Sequence, residues 1–288
     1  MDSYFNYFND CINEVDKLVI INMYNNIQTY NFYDIFDTDM LFNTIAQFPT
    51  TISPPFKINN FTLLKPKFHP FTKTTVVSSN QTKIYKIYIF QNDKNKILFL
   101  LDVLREFYFQ IKFREHITNN NMTNIIVPEI HRYGIINIET NNEIICFAEM
   151  NYYNTSECNL RKIVEQEQTY RNKIEIIHDY VKKYINVRTV ISVIEKQIEI
   201  YHNDLLTLEY LHRVNNQITE CIEHNCEHLH NEFLSTFINN AIHYNLFPSN
   251  NKYILIDFET SSMIDKDNRK CANMDKSFIY HIFNNLII

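Results

Sequence analysis

The chain is 288 residues long, 45% apolar and 21% charged, with 27 Lys and Arg against 33 Asp and Glu for a formal net charge of −6. This is ordinary globular composition, with chain enough for one large domain or two lobes, and it suits nucleic acid poorly, because phosphate binding needs a dense Lys/Arg face. The single glycine, Gly134, excludes a Rossmann GxGxxG, a Walker A loop and any site where several backbone amides crowd a phosphate.

Asn, Ile, Tyr, Phe and Lys are abundant while Ala, Trp and Arg are scarce. The codons of the first group are AT-rich, so the bias points to an AT-rich genome, such as that of a large DNA virus, a parasite or a symbiont. Six scattered cysteines and an N-terminus (MDSYFNYFND) without a basic, apolar leader suggest a reduced interior and a cytoplasmic protein, in the host cell or a virion if viral. No apolar run approaches the roughly 18 residues that span a bilayer.

Residues 1–55 read as an N-terminal extension with weak helical spacing (EVDKLVIINMYNNI), closed by the proline-containing stretch Pro49–Pro55. Residues 56–150 follow as a β-rich part. FTLL and KTTVVSS read as strands, and TKIYKIYIF alternates polar and apolar positions, the pattern of a half-buried strand. LFLLDVLREFYFQIKF predicts a helix from Asn95 to about His116. NIIVPEIHRYGII and NEIICFAEM read as two more strands, joined by a turn at Thr140–Asn142. From about Asn151 the chain turns helical, with long helices over 159–222, a strand KYILIDFE at 252–259 and a final helix SFIYHIFNNLII. The Asn run at 119–121 is polar loop material. The order predicts an α+β chain: a small β-rich lobe, then a mostly helical one over 151–288.

Several of these strings resemble motifs of the protein-kinase-like family, in particular the divergent kinases and pseudokinases of large DNA viruses. KIYKIYIF resembles the third strand of the small lobe, which implies that Lys86 contacts nucleotide phosphates. The following helix offers Glu106 in LREFYFQ as the carboxylate that pins the lysine, with Glu115 as the alternative. CFAEMNYYN resembles the end of the fifth strand, which implies that backbone groups of Glu149 and Met150 meet an adenine edge and that Ala148 controls access behind it. ILIDFE resembles the metal-binding turn, which gives Asp257 the magnesium that bridges the phosphates. Glu259 stands where the family usually keeps glycine.

The resemblance leaves two registers for the catalytic loop. IEHNCEHLHNEF puts His224 at the structural histidine, Cys226 at the catalytic aspartate and Asn231 at the metal-binding asparagine. It takes LEYLH (Leu208–His212) as the end of the family's long helix. IHYNLFPSNN instead uses His243, Asn245 at the aspartate, Pro248, and Asn250 at the asparagine. Only seven residues separate Asn250 from Asp257, so spacing favours the first. In both, the base that accepts the substrate proton is replaced: an amide cannot take a proton near neutral pH, and a neutral thiol poorly mimics a carboxylate. PKFHPFTKT, with two prolines and no glycine, occupies the place of the glycine-rich loop. NMDKSFIYHIF resembles the start of a helix under the large lobe, with Asp275 at its N-terminal end; Asp there is also ordinary helix capping. The family's later helices would then be missing.

Cys221, His224, Cys226, His228 and His230 cluster in sequence and could ligate zinc, although their spacing fits no zinc-knuckle pattern. The expectation is a two-lobed kinase-like fold with a degenerate ATP and Mg2+ site: a pseudokinase, a regulatory or binding module whose protein partner the sequence does not name. An active atypical kinase acting on Ser/Thr is the first alternative, and a structural or host-interaction protein without nucleotide is the second.

Overall fold

The computed structural model describes residues 14–36, 56–58, 61–68, 73–79, 82–91, 96–138, 143–153, 160–202, 205–224, 246–249, 252–258 and 261–263. The chain is α+β and divides into two compact units, Met1–Ile111 with Pro128–Asn154, and Lys112–Val127 with Thr155–Ile288.

In the first unit six antiparallel strands form one sheet in the order β1-β2-β3-β4-β7-β6. They are β1 (Phe56–Ile58), β2 (Phe61–Phe68), β3 (Lys73–Ser79), β4 (Lys83–Gln91), β6 (Ile130–Ile138) and β7 (Glu143–Asn151). The PKFHPFTKT string spans the end of β2 and the start of β3, which pair with a register shift between Leu63 and Lys65. The run read as one strand from Asn124 is broken: β5 covers Ile125–Ile126, and β6 starts past Pro128, which has no N–H to give a ladder. The predicted turn at Thr140–Asn142 lies outside the described residues.

The polar and apolar alternation of β4 predicted a half-buried strand, yet both faces are covered. Tyr85, Ile87 and Ile89 share a cluster with Ile136, Ile145 and Phe147, closed by Phe32, Ile35 and Phe36. Lys86 and Tyr88, on the opposite face, are also buried. The apparent extension supplies one cover. Helix α1 (Glu14–Asn25) is followed by residues that run alongside β6 and by the short helix α2 (Phe32–Phe36). Tyr30 N–H donates to the Ile135 carbonyl at 2.9 Å, and Ile135 N–H to the Gln28 carbonyl at 2.9 Å. Tyr30 then lies over Gly134, edge-on to Phe147 with ring centroids 5.4 Å apart. The chain's one glycine is where a side chain would collide with this crossing segment. Phe32, Ile35 and Phe36 of this segment are therefore part of the first unit's core, with Tyr30 packed against it.

Helix α3 (Lys96–Asn119) is buried on most of its circumference, through Leu100, Leu101, Val103, Leu104, Phe107, Phe109, Phe113 and Ile117. It runs past the predicted end at His116. Asn121 takes a left-handed conformation (φ 52°), and Met122 N–H reaches back to the Ile117 carbonyl at 3.0 Å. Tyr108 on this helix donates its hydroxyl to Asp16 of α1.

The second unit is built on helices α4 (Leu160–Gln166), α5 (Tyr170–Ile198) and α6 (Leu208–Glu223). Thr169 and Thr207 cap α5 and α6, accepting from Asn172 N–H and Tyr210 N–H, each at 3.2 Å. The helical reading of 159–222 thus has a gap. Glu199 ends α5 in the left-handed region (φ 60°), and a short strand β8 (Ile200–His202) follows. Ile198 and Ile200 stand at strand spacing, but the run is too short to stand out from the helical patterns on either side. LEYLH is consequently the start of α6 and not the end of the long helix. Strands β9 (Leu246–Ser249) and β10 (Lys252–Leu255) form an antiparallel pair, with β5 parallel to β10 on its other side. The predicted strand over 252–259 stops at Leu255. After it the chain passes through Asp257 to β11 (Ser261–Met263), which pairs antiparallel with β8.

Candidate functional site

Two constellations carry chemistry, one in each unit. In the first, the pleat of β4 puts Lys86 and Tyr88 on the face toward α3, and both reach Glu106. Lys86 Nζ donates to Glu106 Oε1 and the Tyr88 hydroxyl to Oε2. The Lys86 Nζ also lies 5.6 Å from the centre of the Tyr88 ring. Lys86 is 9% exposed and Glu106 2% exposed, so this is a cation held out of bulk water on a rigid strand. The alternative carboxylate, Glu115, is exposed on the same helix. Gln110, one turn after Glu106, donates to the Pro128 carbonyl at 2.8 Å and to Met150 Sδ at 3.1 Å, tying the helix to the start of β6 and the end of β7.

Glu149 and Met150 do not end their strand. Each pairs on both sides, Glu149 with Tyr85 and Arg132 and Met150 with Ile84 and Ile130, so their backbone lies inside the ladder. The strand ends at Asn151, and Tyr152 N–H still donates to the Thr82 carbonyl at 2.9 Å. The Glu149 side chain has structural work instead. It accepts from Lys83, from Arg132 Nε at 2.6 Å and from the Tyr85 hydroxyl at 3.1 Å. Burial pushes this carboxyl up, but the donors from Lys83 and Arg132 outweigh it and hold it below its ordinary value. Ala148 is fully buried, directly across from Lys86.

The second constellation surrounds Asp257. The apolar strand β10 delivers it on a left-handed residue (φ 62°), a conformation Asp tolerates better than most side chains. Next to it, Phe258 is fully buried against Phe113 and against the edge of His202, with ring centroids 5.3 and 5.1 Å away. The His202 ring meets the Ile256 carbonyl at 3.1 Å through Nε2. A carbonyl only accepts, so Nε2 carries the proton. His202 also pairs with Ser261 in the β8–β11 ladder. The strand before the carboxylate, the carboxylate's turn and the strand after it are thus locked onto this one histidine.

His202 is the residue that sequence reasoning missed. His224, expected at the structural histidine, is the exposed C-cap of α6, its Nδ1 on the Glu220 carbonyl at 2.8 Å. Cys226, Asn231, His243, Asn245, Asn250, Glu259 and Asp275 lie outside the described residues, and so do the candidate zinc ligands His228 and His230. Pro248 of the second register sits inside β9, opposite Tyr253. The Cys221 thiol is buried. The signal for His202 was present: IEIYH alternates as a strand and runs directly into Asn203-Asp204-Leu205 at the end of the longest helix. His202-Asn203-Asp204-Leu205 is the same His-x-Asp-Leu string that the resemblance asked for near His224, with an aspartate in place. Asp204 itself lies outside the described residues.

Among the described residues no group of three or more His, Cys, Asp or Glu side chains could hold a metal ion. Asp257 is a single hard-oxygen donor. That fits magnesium shared with phosphates, which keeps much of its shell in water and substrate, and does not fit an all-protein cage. Among them, too, no helix is long and apolar enough to cross a membrane. The sequence matches no known family model and none of the curated proteins.

Proposed function

We infer that the chain is a two-lobed kinase-like protein that binds ATP with magnesium and transfers the γ-phosphoryl group to a serine or threonine hydroxyl. The observation that carries this reading is the buried Lys86–Glu106 pair. A cation fixed between a strand and a helix is what positioning of nucleotide phosphates needs, and positioning with electrostatics dominates phosphoryl transfer. In this reading Lys86 contacts the phosphates and Asp257 ligates the magnesium. Asp204 takes the proton of the hydroxyl whose oxygen bonds to the γ-phosphorus, while the bond to the bridging oxygen breaks and ADP leaves. Magnesium, when bound, neutralises charge on the phosphates.

A pseudokinase that keeps nucleotide binding without transfer is the second reading. One observation favours it: Gly134 is the only glycine, so no glycine-rich loop covers the phosphates. A thermal-shift titration separates the readings. ATP at 100 times its dissociation constant adds about 2.7 kcal/mol, a shift of several degrees, expected only with magnesium and lost in Asp257→Ala. Transfer of labelled phosphate to casein, abolished by Asp204→Asn, supports the kinase. A shift without transfer leaves the pseudokinase, and no shift at any concentration refutes both.

A further inference from the structure

The segment over 14–36 meets the rest of the first unit three times. The Tyr108 hydroxyl of α3 donates to the Asp16 carboxylate of α1. Gln28 and Tyr30 next bond to Ile135 of β6, the last strand in the order of the six-stranded sheet. Past that rim, Phe32, Ile35 and Phe36 join Tyr85, Ile87 and Ile89 on the face of β4 opposite Lys86, with Phe36 edge-on to Tyr85 at 5.2 Å between ring centroids. One continuous stretch therefore runs from α3, around the rim of the sheet, to the sheet's other face.

Apolar burial does not explain where α1 lies. Ile20 is fully buried, but Val15 and Leu18 are 71% and 65% exposed, while the charged Asp16 and Lys17 are only 3% and 4% exposed. Burying charge costs desolvation, so such a contact is a poor source of stability and a better source of one specific arrangement. Tyr108 directs that arrangement at α3. It stands two residues after Glu106, about 200° around the helix, so the two side chains leave α3 on nearly opposite sides. Glu106 reaches Lys86 and Tyr88 on the sheet, and Tyr108 reaches α1. We propose that residues 14–36 are a strap that ties α3 to the sheet, with Asp16 and Tyr108 as positioning residues for the Lys86–Glu106 pair. A loosened α3 carries Glu106 away from Lys86 and opens the lysine to water. The strap's hold on the pair stands on these contacts, and its consequence for nucleotide rests on the reading of Lys86 as the phosphate contact.

The test compares wild type with Asp16→Leu plus Tyr108→Phe, which removes both polar partners of the tie together. Beside it stands Asp16→Asn, which keeps an acceptor oxygen for the Tyr108 hydroxyl. Amide hydrogen exchange is followed over 104–113 of α3 and 144–148 of β7, and acylation of Lys86 by acetic anhydride is followed by mass spectrometry. The double variant is expected to melt within a few degrees of wild type. Exchange in α3 and acylation of Lys86 should each speed up at least about tenfold, the scale of one hydrogen bond to a charged group, with β7 unchanged. Asp16→Asn should stay close to wild type in both. Unchanged acylation of Lys86 or unchanged exchange in α3 of the folded double variant overturns the inference. Equal acceleration in α3 and β7, the mark of a general loss of stability, overturns it too. ATP with magnesium, added to wild type, keeps the kinase reading separate: it should slow the acylation of Lys86, and an absence of protection refutes contact of Lys86 with the phosphates while the variants still decide the strap. If the double variant does not fold, Tyr108→Phe is set against Asp16→Asn: faster acylation of Lys86 in the first alone supports the strap, and equal rates overturn it.

Discussion

Removing the charge of Lys86 tests the fold and the function of the first unit at once. In Lys86→Met the Glu106 carboxylate, 2% exposed, loses its cation while it stays buried. Breaking a buried pair from one side costs about 3–5 kcal/mol, because the remaining charge is uncompensated. At roughly 2–4 °C per kcal/mol for a chain of this order, the transition falls by roughly 6–20 °C. Replacing both partners, as in Lys86→Met with Glu106→Leu, removes the buried charge altogether, and such swaps are often neutral or stabilising. The double variant should therefore melt well above the single one. Scanning calorimetry is the suitable assay, since two units can unfold in separate transitions. The ATP and magnesium response divides the roles: the double variant should regain stability without regaining that response. Equal losses in the single and double variants would refute the account of the pair. Recovery of both stability and nucleotide response would refute the role of Lys86 at the phosphates.

Gly134→Ala places a Cβ in collision with the Tyr30 ring and 2.7 Å from the Gln28 carbonyl oxygen, an overpacking worth about 1–3 kcal/mol; urea denaturation should show a smaller cost in a Tyr30→Ala background, and equal costs would count against the crossing segment. Glu149 titrates below its ordinary value of 4.5 in the folded chain, so over that window the unfolded chain binds more protons. Its contribution is complete above that value and is lost as pH falls through the lower folded one, so Glu149→Gln should flatten the acid limb of a stability–pH curve. A limb of unchanged slope would show that the Lys83 and Arg132 contacts carry no weight. Asp257 holds a left-handed backbone (φ 62°), and Asp257→Gly should be more stable than Asp257→Ala by about 1 kcal/mol, with neither variant responding to ATP and magnesium. Alanine matching glycine there would argue that the turn relaxes on substitution.

Local chemistry made much of this protein legible. The alternation of KIYKIYIF set which residues of β4 share a face with Lys86, because a strand's side chains alternate whatever it packs against. The apolar spacing of α3 and the capping threonines of α5 and α6 act through neighbours a few residues away, and so does the strand that delivers Asp257. Tertiary structure decided the rest. Glu106 and Glu115 lie on one helix and look equivalent in sequence; only the packing of α3 on the sheet buries the first and exposes the second. Both faces of β4 are covered because residues 28–36 return to the sheet from far away in the chain, at the one place where a glycine admits them. The histidine beside Asp257 is His202 because β8 pairs with β11, nearly sixty residues later. A three-residue strand exists through the partner it finds, so the alternation of IEIYH marks a strand without showing that it pairs with β11.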